Sequence, residues 1–225
     1  MSPVIKKVVA IIPIKKNSKR VKGKNFKKIN GRPLYSYLLN KLKKCEFDEI
    51  FVDTDSIEIK NYCLKNNYKI IKRLPILAKD SANGNDLLNY HSKIINADIY
   101  FQLFVTAPLL SVTSINQCIK FLKESKNYDS ILTTKKIFSW FWHKKKPINY
   151  KPAELPRSQD AIPVIQETTG LYGIKKRALK KHKCRIGKKP FFYEVRDEEA
   201  LDLDNHKDFE YLEYYVKKYL LRTKR

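Results

Sequence analysis

The feature that most constrains this chain is an apolar, largely β-branched run, Val8 to Ile14 (VVAIIPI), that leads directly into a loop crowded with cations. Continuous β-branched residues without polar alternation suit a strand buried on both faces, as in the middle of a parallel sheet. The following loop carries Lys15, Lys16, Lys19, Arg20, Lys22, Lys24, Lys27 and Lys28, interspersed with Ser18, Gly23 and Asn25. Backbone N–H groups, hydroxyls and fixed cations at a strand end stabilise phosphate oxygens together. The segment therefore reads as a holder for a polyanion of fixed shape, a nucleoside triphosphate being the natural candidate.

At 225 residues the chain can bury one sizeable α/β core. No Pro/Gly/Ser-rich linker, repeat or low-complexity tract divides it, so a single domain over residues 1–225 is expected. Val8–Ile14, preceded by Lys6 and Lys7, superficially imitates a signal peptide, but it is too short, lacks a small-residue cleavage site and ends in lysines. Tyr100 to Leu110 is interrupted by Gln102 and Thr106 and is too short to cross a bilayer. A soluble, cytoplasmic protein with no membrane partner is the expectation. Cys45, Cys63, Cys118 and Cys184 are scattered without a C-x-x-C pair or a histidine at metal spacing. They suit a reducing compartment and support neither disulfides nor zinc. The net charge of +24 raises the case for a nucleic-acid or anionic-surface partner. Lysines are nevertheless spread over almost every segment, which reads as a solvated basic surface with no nucleic-acid binding beyond non-specific attraction at low salt.

Helical spacing of apolar residues predicts a helix over Pro33 to Cys45, a second over Ile57 to Asn66 and a third over Asp86 to Ile95. A fourth follows the caps offered by Ser111 to Ser114 and uses Ile115, Cys118, Ile119 and Leu122. Strands are expected at Glu49 to Thr54, Lys69 to Ile71, Ile99 to Val105 and Ser130 to Thr133. This alternation implies an α/β fold, a mostly parallel sheet with helices on both faces and ligands at the carboxyl ends of its strands. From Lys135 to Gln166 the rhythm breaks into aromatic, basic and proline-rich sequence containing Trp140, Phe141 and Trp142. Two readings stay open: the aromatics pack on their own domain, or they form an arm reaching a second subunit. Strands at Gly170 to Ile174 and Ala200 to Asp204 and a helix over Lys207 to Leu221 complete the chain, with Phe209, Leu212, Val216, Tyr219 and Leu220 on the helix's apolar face. On the second of these strands Asp202 and Asp204 would share a face, able to hold a hard divalent cation. Asp53 and Asp55 read as caps of the helix after them, and His91 and His143 as structural or solvated.

Ile12, Pro13, Ser18, Lys19, Arg20, Lys24, Asn25, Gly31, Pro33 and Leu34 match a known signature. The segment resembles the cytidylyltransferases that activate acidic eight- and nine-carbon sugars, the acylneuraminate or nonulosonate family and its octulosonate relatives. Ile14, Lys15 and Asn17 depart from it, and Lys15 replaces an arginine, keeping the charge but losing the bidentate fork. The likeness continues in FVDTDSIEI (51–59), RLPILAKDSANG (73–84), FVTAPLL (104–110), LPRSQD and ETTGLYG (155–173), and EALDLDNHKDFE (199–210).

The resemblance implies a Rossmann-like fold of the nucleotide-diphospho-sugar transferase type, with a protruding dimerisation arm at about 135–166 and a homodimer. It implies CTP and an acidic 2-keto sugar (sialic, legionaminic, pseudaminic or related) as substrates, with CMP-sugar and pyrophosphate as products. Lys15, Ser18, Lys19 and Lys24 would then hold the triphosphate, and Asn25, Arg73 and Ala82 would read the cytosine. Phe104, Thr106, Arg157, Gln159 and Tyr172 would surround the sugar, with Arg157 on its carboxylate. Phe104 stands where the family has a sugar-contacting glutamine, and Leu110 replaces an arginine. Asp202 and Asp204 would carry Mg²⁺, and Lys19, Lys24 and Asp204 would act in catalysis. The rivals are a nucleotidyltransferase for another sugar or nucleotide and a catalytically silent homologue acting as a basic binding protein.

Overall fold

The apolar run Val8–Ile14 is a strand, β1, buried at every position but Pro13. The computed structural model describes residues 6–18 and 21–220, the last two as backbone only, and places β1 inside a seven-stranded sheet. After β1 come a two-stranded ribbon, β2 (Lys28–Ile29) and β3 (Arg32–Pro33), and helix α1 (Leu34–Leu42). There follow β4 (Glu49–Thr54), α2 (Ile57–Lys65), β5 (Lys69–Lys72), the single turn α3 (Pro75–Ala78) and α4 (Gly84–Ile94). Next are β6 (Ile99–Leu103), α5 (Val112–Glu124), β7 (Ser130–Ile137) and a small hairpin of β8 (Trp142–His143) and β9 (Lys146–Pro147). The chain closes with β10 (Val164–Lys175), α6 (Lys176–His182), β11 (Pro190–Glu194) and α7 (His206–Tyr215), which passes into a π-turn over Val216–Leu220.

The sheet order is β11-β7-β10-β6-β1-β4-β5. All neighbours are parallel except β10, which runs antiparallel to both β6 and β7. Parallel strands need crossover connections, and the helices that supply them cover both faces. β1 serves both cores. Val8, Ala10, Ile12 and Ile14 join α1, α2 and α5 on one side, while Val9 and Ile11 join α4 and α6 on the other. A third apolar cluster, built from Val21, Ile29, Leu34, Leu109, Leu203, Phe209 and Leu212, fastens α7 over the loop that follows β1.

Four sequence expectations need correction. First, Ala200–Asp204 is not a strand. β11 is the aromatic segment Pro190–Glu194 and occupies the edge of β7, leaving no ladder for the later segment. Leu203 is instead buried beneath α7, and its N–H donates to the Thr106 carbonyl at 2.9 Å. Second, the break expected from Lys135 to Gln166 is shorter, because β7 and β10 stay paired out to Ile137 opposite Val164. Third, α1 ends at Leu42, so Cys45 lies past it. Fourth, Ser56 rather than Asp53 or Asp55 caps α2, its hydroxyl accepting from the Ile59 N–H. Of the apolar face expected on the last helix, Phe209, Leu212 and Val216 are buried, while the Tyr219 and Leu220 side chains and residue 221 lie outside the described residues.

The excursion between β7 and β10 is closed at its base by one buried side chain. The Asn149 amide donates to the carbonyls of Ser139 (2.7 Å) and Ile162 (2.8 Å), and its oxygen accepts from the Phe141 N–H at 2.9 Å. Trp140 and Trp142 flank Tyr150, each at 6.1 Å between ring centroids, yet remain 42% and 56% exposed. Among the described residues no helix is long and apolar enough to cross a membrane.

Candidate active site

The loops at the carboxyl ends of β1 and β6 and the α3–α4 segment enclose a cleft of about 390 Å³. It is lined by Pro13, Lys15, Asn17, Ser18, Lys24, Arg73, Leu77, Lys79, Asp80, Ala82, Leu87 and Phe104. Lys15, Ser18, Lys24, Arg73, Ala82 and Phe104, picked from distant parts of the sequence, thus share one cavity. Lys19 lies outside the described residues.

The cation-rich loop is held from behind. The Asn25 amide is buried and donates to the Lys15 carbonyl at 2.9 Å, while Asp55 accepts from the Lys16 N–H at 2.6 Å. Asn25 therefore sets the loop's shape. Lys15 reaches across to Asp80 at 2.7 Å. Gly23 adopts φ +65°, a turn that glycine makes without strain, and it starts the 3₁₀ turn Lys24–Phe26 that carries Lys24 inward. The buried Lys24 ammonium donates to the Leu203 carbonyl at 2.5 Å and lies 3.3 Å from an Asp204 carboxylate oxygen.

Arg73 is buried at the cleft wall, and Asp53, at the end of β4, holds it there. Its Nε donates to Asp53 Oδ2 at 3.1 Å and its Nη2 to the Asp53 carbonyl at 3.2 Å. His91, fully buried on α4, meets the same Oδ2 at 3.1 Å through Nε2. Burial alone would push the Asp53 carboxyl up. The hydrogen bonds from His91 and Arg73 more than offset this and hold it below the ordinary carboxylate range.

Next to Phe104 stands Tyr172 of β10, its ring edge-on to Phe104 at 6.2 Å and its hydroxyl donating to Glu167. Burial first, then the Glu167 and Asp202 carboxylates, push that hydroxyl well above its ordinary value. Asp202 Oδ1 is buried and has no hydrogen-bond partner among the described residues. Thr106 enters through its backbone, whose carbonyl anchors Leu203.

Arg157 and Gln159 are not brought to this cleft within one chain. Both are exposed on the excursion, where Arg157, its side chain 75% exposed, pairs with Asp160 at 2.6 Å. Sequence reasoning missed Arg185, whose guanidinium lies 3.6 Å from the Tyr172 ring centroid and 5.7 Å from that of Phe104. It sits in KCRIGKK, a basic stretch with no periodicity to distinguish it. Asp53 and His91 were also missed as a pair, because residues 38 positions apart give no local signal.

No group of three or more His, Cys, Asp or Glu gathers into a metal cage among the described residues. The orphaned Asp202 oxygen does fit a hard cation whose remaining ligands are water and phosphate, the usual arrangement for Mg²⁺.

The family model described as Cytidylyltransferase matches residues 9–224, nearly the whole chain. The chain belongs to that family. Among its relatives in the family, N-acylneuraminate cytidylyltransferase A of Danio rerio is 26% identical over 207 residues, covering 88% of this chain and 48% of that protein. A Helicobacter pylori protein described as pseudaminic acid cytidylyltransferase and UDP-2,4-diacetamido-2,4,6-trideoxy-beta-L-altropyranose hydrolase is 22% identical over 213 residues, covering 90% of this chain and 41% of that one. The chain spans about half the length of the N-acylneuraminate cytidylyltransferases it matches. The solved structure of CMP:2-keto-3-deoxy-manno-octonic acid synthetase complexed with CTP has a TM-score of 0.72 at 17% identity, covering 94% of this chain and 99% of that one. At that identity it shares the cytidylyltransferase fold, a mixed, mostly parallel sheet flanked by helices.

Proposed function

We propose that the protein transfers CMP from CTP to the anomeric hydroxyl of an acidic 2-keto sugar, releasing pyrophosphate. One observation carries the reading: Lys15, Ser18, Lys24 and Arg73 converge on a single cleft whose wall, through Lys24, is tied to Asp204. In-line attack on the α-phosphate asks little covalent chemistry of a protein. It requires positioning and neutralisation of charge. Lys15, Ser18, Lys24 and the neighbouring Lys19 would hold the triphosphate oxygens and stabilise the departing pyrophosphate. Arg73 and Ala82 would contact the cytosine, with Asn25 fixing the loop from behind. Phe104, Thr106 and Tyr172 would frame the sugar, and a carboxylate oxygen of Asp204 would accept the anomeric proton. Asp202 and Asp204 would hold Mg²⁺, which lowers the pKa of the attacking hydroxyl and neutralises phosphate charge.

The same reading makes the protein a cytoplasmic two-fold homodimer. Phe138, Trp142, Ile148 and Leu155 leave apolar surface on the excursion, as contact sites do. Embracing a neighbour with that segment would carry Arg157 and Gln159 toward the neighbour's cleft. The four free cysteines suit a reducing compartment. Identifying the product tests the proposed reaction: ³¹P NMR of the protein with CTP, Mg²⁺ and a sugar acid should show a CMP phosphodiester appearing with pyrophosphate. CTP persisting alongside every acid supplied would contradict the proposal.

A further inference from the structure

Near Phe104, at the edge of the cleft, lies a guanidinium with no established task. Arg185 leaves the loop between α6 and β11, its backbone N–H donating to Asn85 Oδ1 at 2.9 Å, and lies flat on Tyr172 with its central carbon 3.6 Å from the ring centroid. Phe104, which lines the cleft and stands edge-on to Tyr172, has its ring centroid 5.7 Å from the same guanidinium carbon. Room for this path comes from Gly84, where a Cβ would lie 2.6 Å from Arg185 Nη1. The side chain is only 22% exposed, and the one carboxylate within 4 Å of it among the described residues, Glu167, is 3.5 Å away, beyond an ordinary hydrogen bond. Among the described residues its guanidinium makes no hydrogen bond to a protein acceptor. Beside the same Gly84, the fully buried Gln102 has an Oε1 with no hydrogen-bond partner among the described residues. Buried donors and acceptors left unpaired are costly, and a ligand that satisfies them removes the cost.

We infer that Arg185 binds the carboxylate of the acidic acceptor, an assignment that rests on the proposed transfer to a sugar acid. Stacking fixes the guanidinium plane and leaves its edge for a planar, bidentate anion. Glu167 offsets part of the charge, which favours a carboxylate over a phosphate dianion. Gln102 and Tyr172 then border the polar end of the sugar. The triphosphate keeps its own cations, Lys15 and Lys24, in the cleft. Arg157, solvated and paired with Asp160 in this chain, is replaced by Arg185 as the carboxylate contact within one subunit.

The test uses protein labelled with ¹⁵N-arginine, the Arg185 Nε–H signal being identified by its loss in Arg185→Lys. N-acetylneuraminate, pseudaminate and 2-keto-3-deoxy-manno-octonate are each titrated in the presence of CMP, alongside their methyl esters. One acid shifts the Arg185 signal while its ester does not, and Arg185→Lys weakens that acid about 10- to 100-fold while CTP affinity changes less than twofold. An unmoved Arg185 signal with all three acids overturns the assignment, as does an acid bound equally by both proteins. Pyrophosphate release from CTP is followed separately, so a failure of the proposed reaction is distinguishable from a silent Arg185.

Discussion

Lys24 and Asp204 are 180 positions apart in the chain and 3.3 Å apart in space. The same ammonium donates to the Leu203 carbonyl, so one buried cation joins the loop after β1 to the segment bearing both candidate metal-holding carboxylates. A cation shared in this way can answer charge on the phosphates only while the two segments stay in register. Lys24→Met, which keeps the stem and removes the charge, should lower kcat about 10²- to 10³-fold, the scale of losing a preorganised donor to a developing anion. It should also cost about 1–3 kcal/mol in urea denaturation by leaving the Leu203 carbonyl unpaired. A variant within threefold of the wild-type kcat would remove this lysine from the mechanism.

Asp202 and Asp204 should differ in their response to neutralisation. Asp202 Oδ1 is buried without a partner among the described residues, so Asp202→Asn disturbs few protein contacts and should mainly raise the Mg²⁺ concentration needed for half-maximal rate. Asp204→Asn also loses its pairing with Lys24 and should depress kcat at saturating Mg²⁺. Unchanged Mg²⁺ dependence in both variants would show that the pair does not carry the metal.

The Arg73–Asp53–His91 cluster sets an acid limit on stability. Asp53 is held low in the folded protein, so its contribution is complete above the unfolded carboxyl pKa of about 4 and is lost as pH falls through the lower folded value. Glu199 behaves alike: burial raises it, and hydrogen bonds from Ser111, Ser114 and Arg196 more than compensate. Unfolding free energy should therefore be insensitive to these two groups from neutrality to about pH 5 and decline below pH 4. Asp53→Asn should cost about 3–5 kcal/mol by leaving Arg73 buried and unpaired, and should flatten the acid-side decline. A loss under 1 kcal/mol would mean that Arg73 finds another partner or water.

Sequence alone carried the sheet's interior, because strands such as Val8–Ile14 and Glu49–Thr54 are apolar enough to announce themselves and their boundaries match the structure. It failed where tertiary competition decides. Leu201 to Asp204 alternates like a strand, but the ladder position it would need is taken by Pro190–Glu194. Helix α6 buries only Ala178 and Leu179 and so shows no apolar stripe. The cleft lysines and Arg73 were legible through a shared motif order. Arg185 and the Asp53–His91 pair arise from approaches across the fold, which local sequence does not record.

The exposed aromatic excursion predicts assembly. Light scattering at micromolar concentration should give a dimer mass, and Trp142→Ser with Ile148→Ser should shift it toward monomer, since both side chains are more than half exposed in one chain. A monomeric wild type would leave Arg157 without a route to a neighbouring cleft.

Pyrophosphate release tests the central claim most directly. The protein is mixed with Mg²⁺, one nucleoside triphosphate and a panel of sialic, legionaminic, pseudaminic and octulosonic acids, and release is followed over time. The account predicts steady release with CTP and at least one of these acids, and none when ATP, GTP or UTP replaces CTP. Release that proceeds equally with every nucleotide, or none with CTP and any acid, would contradict it.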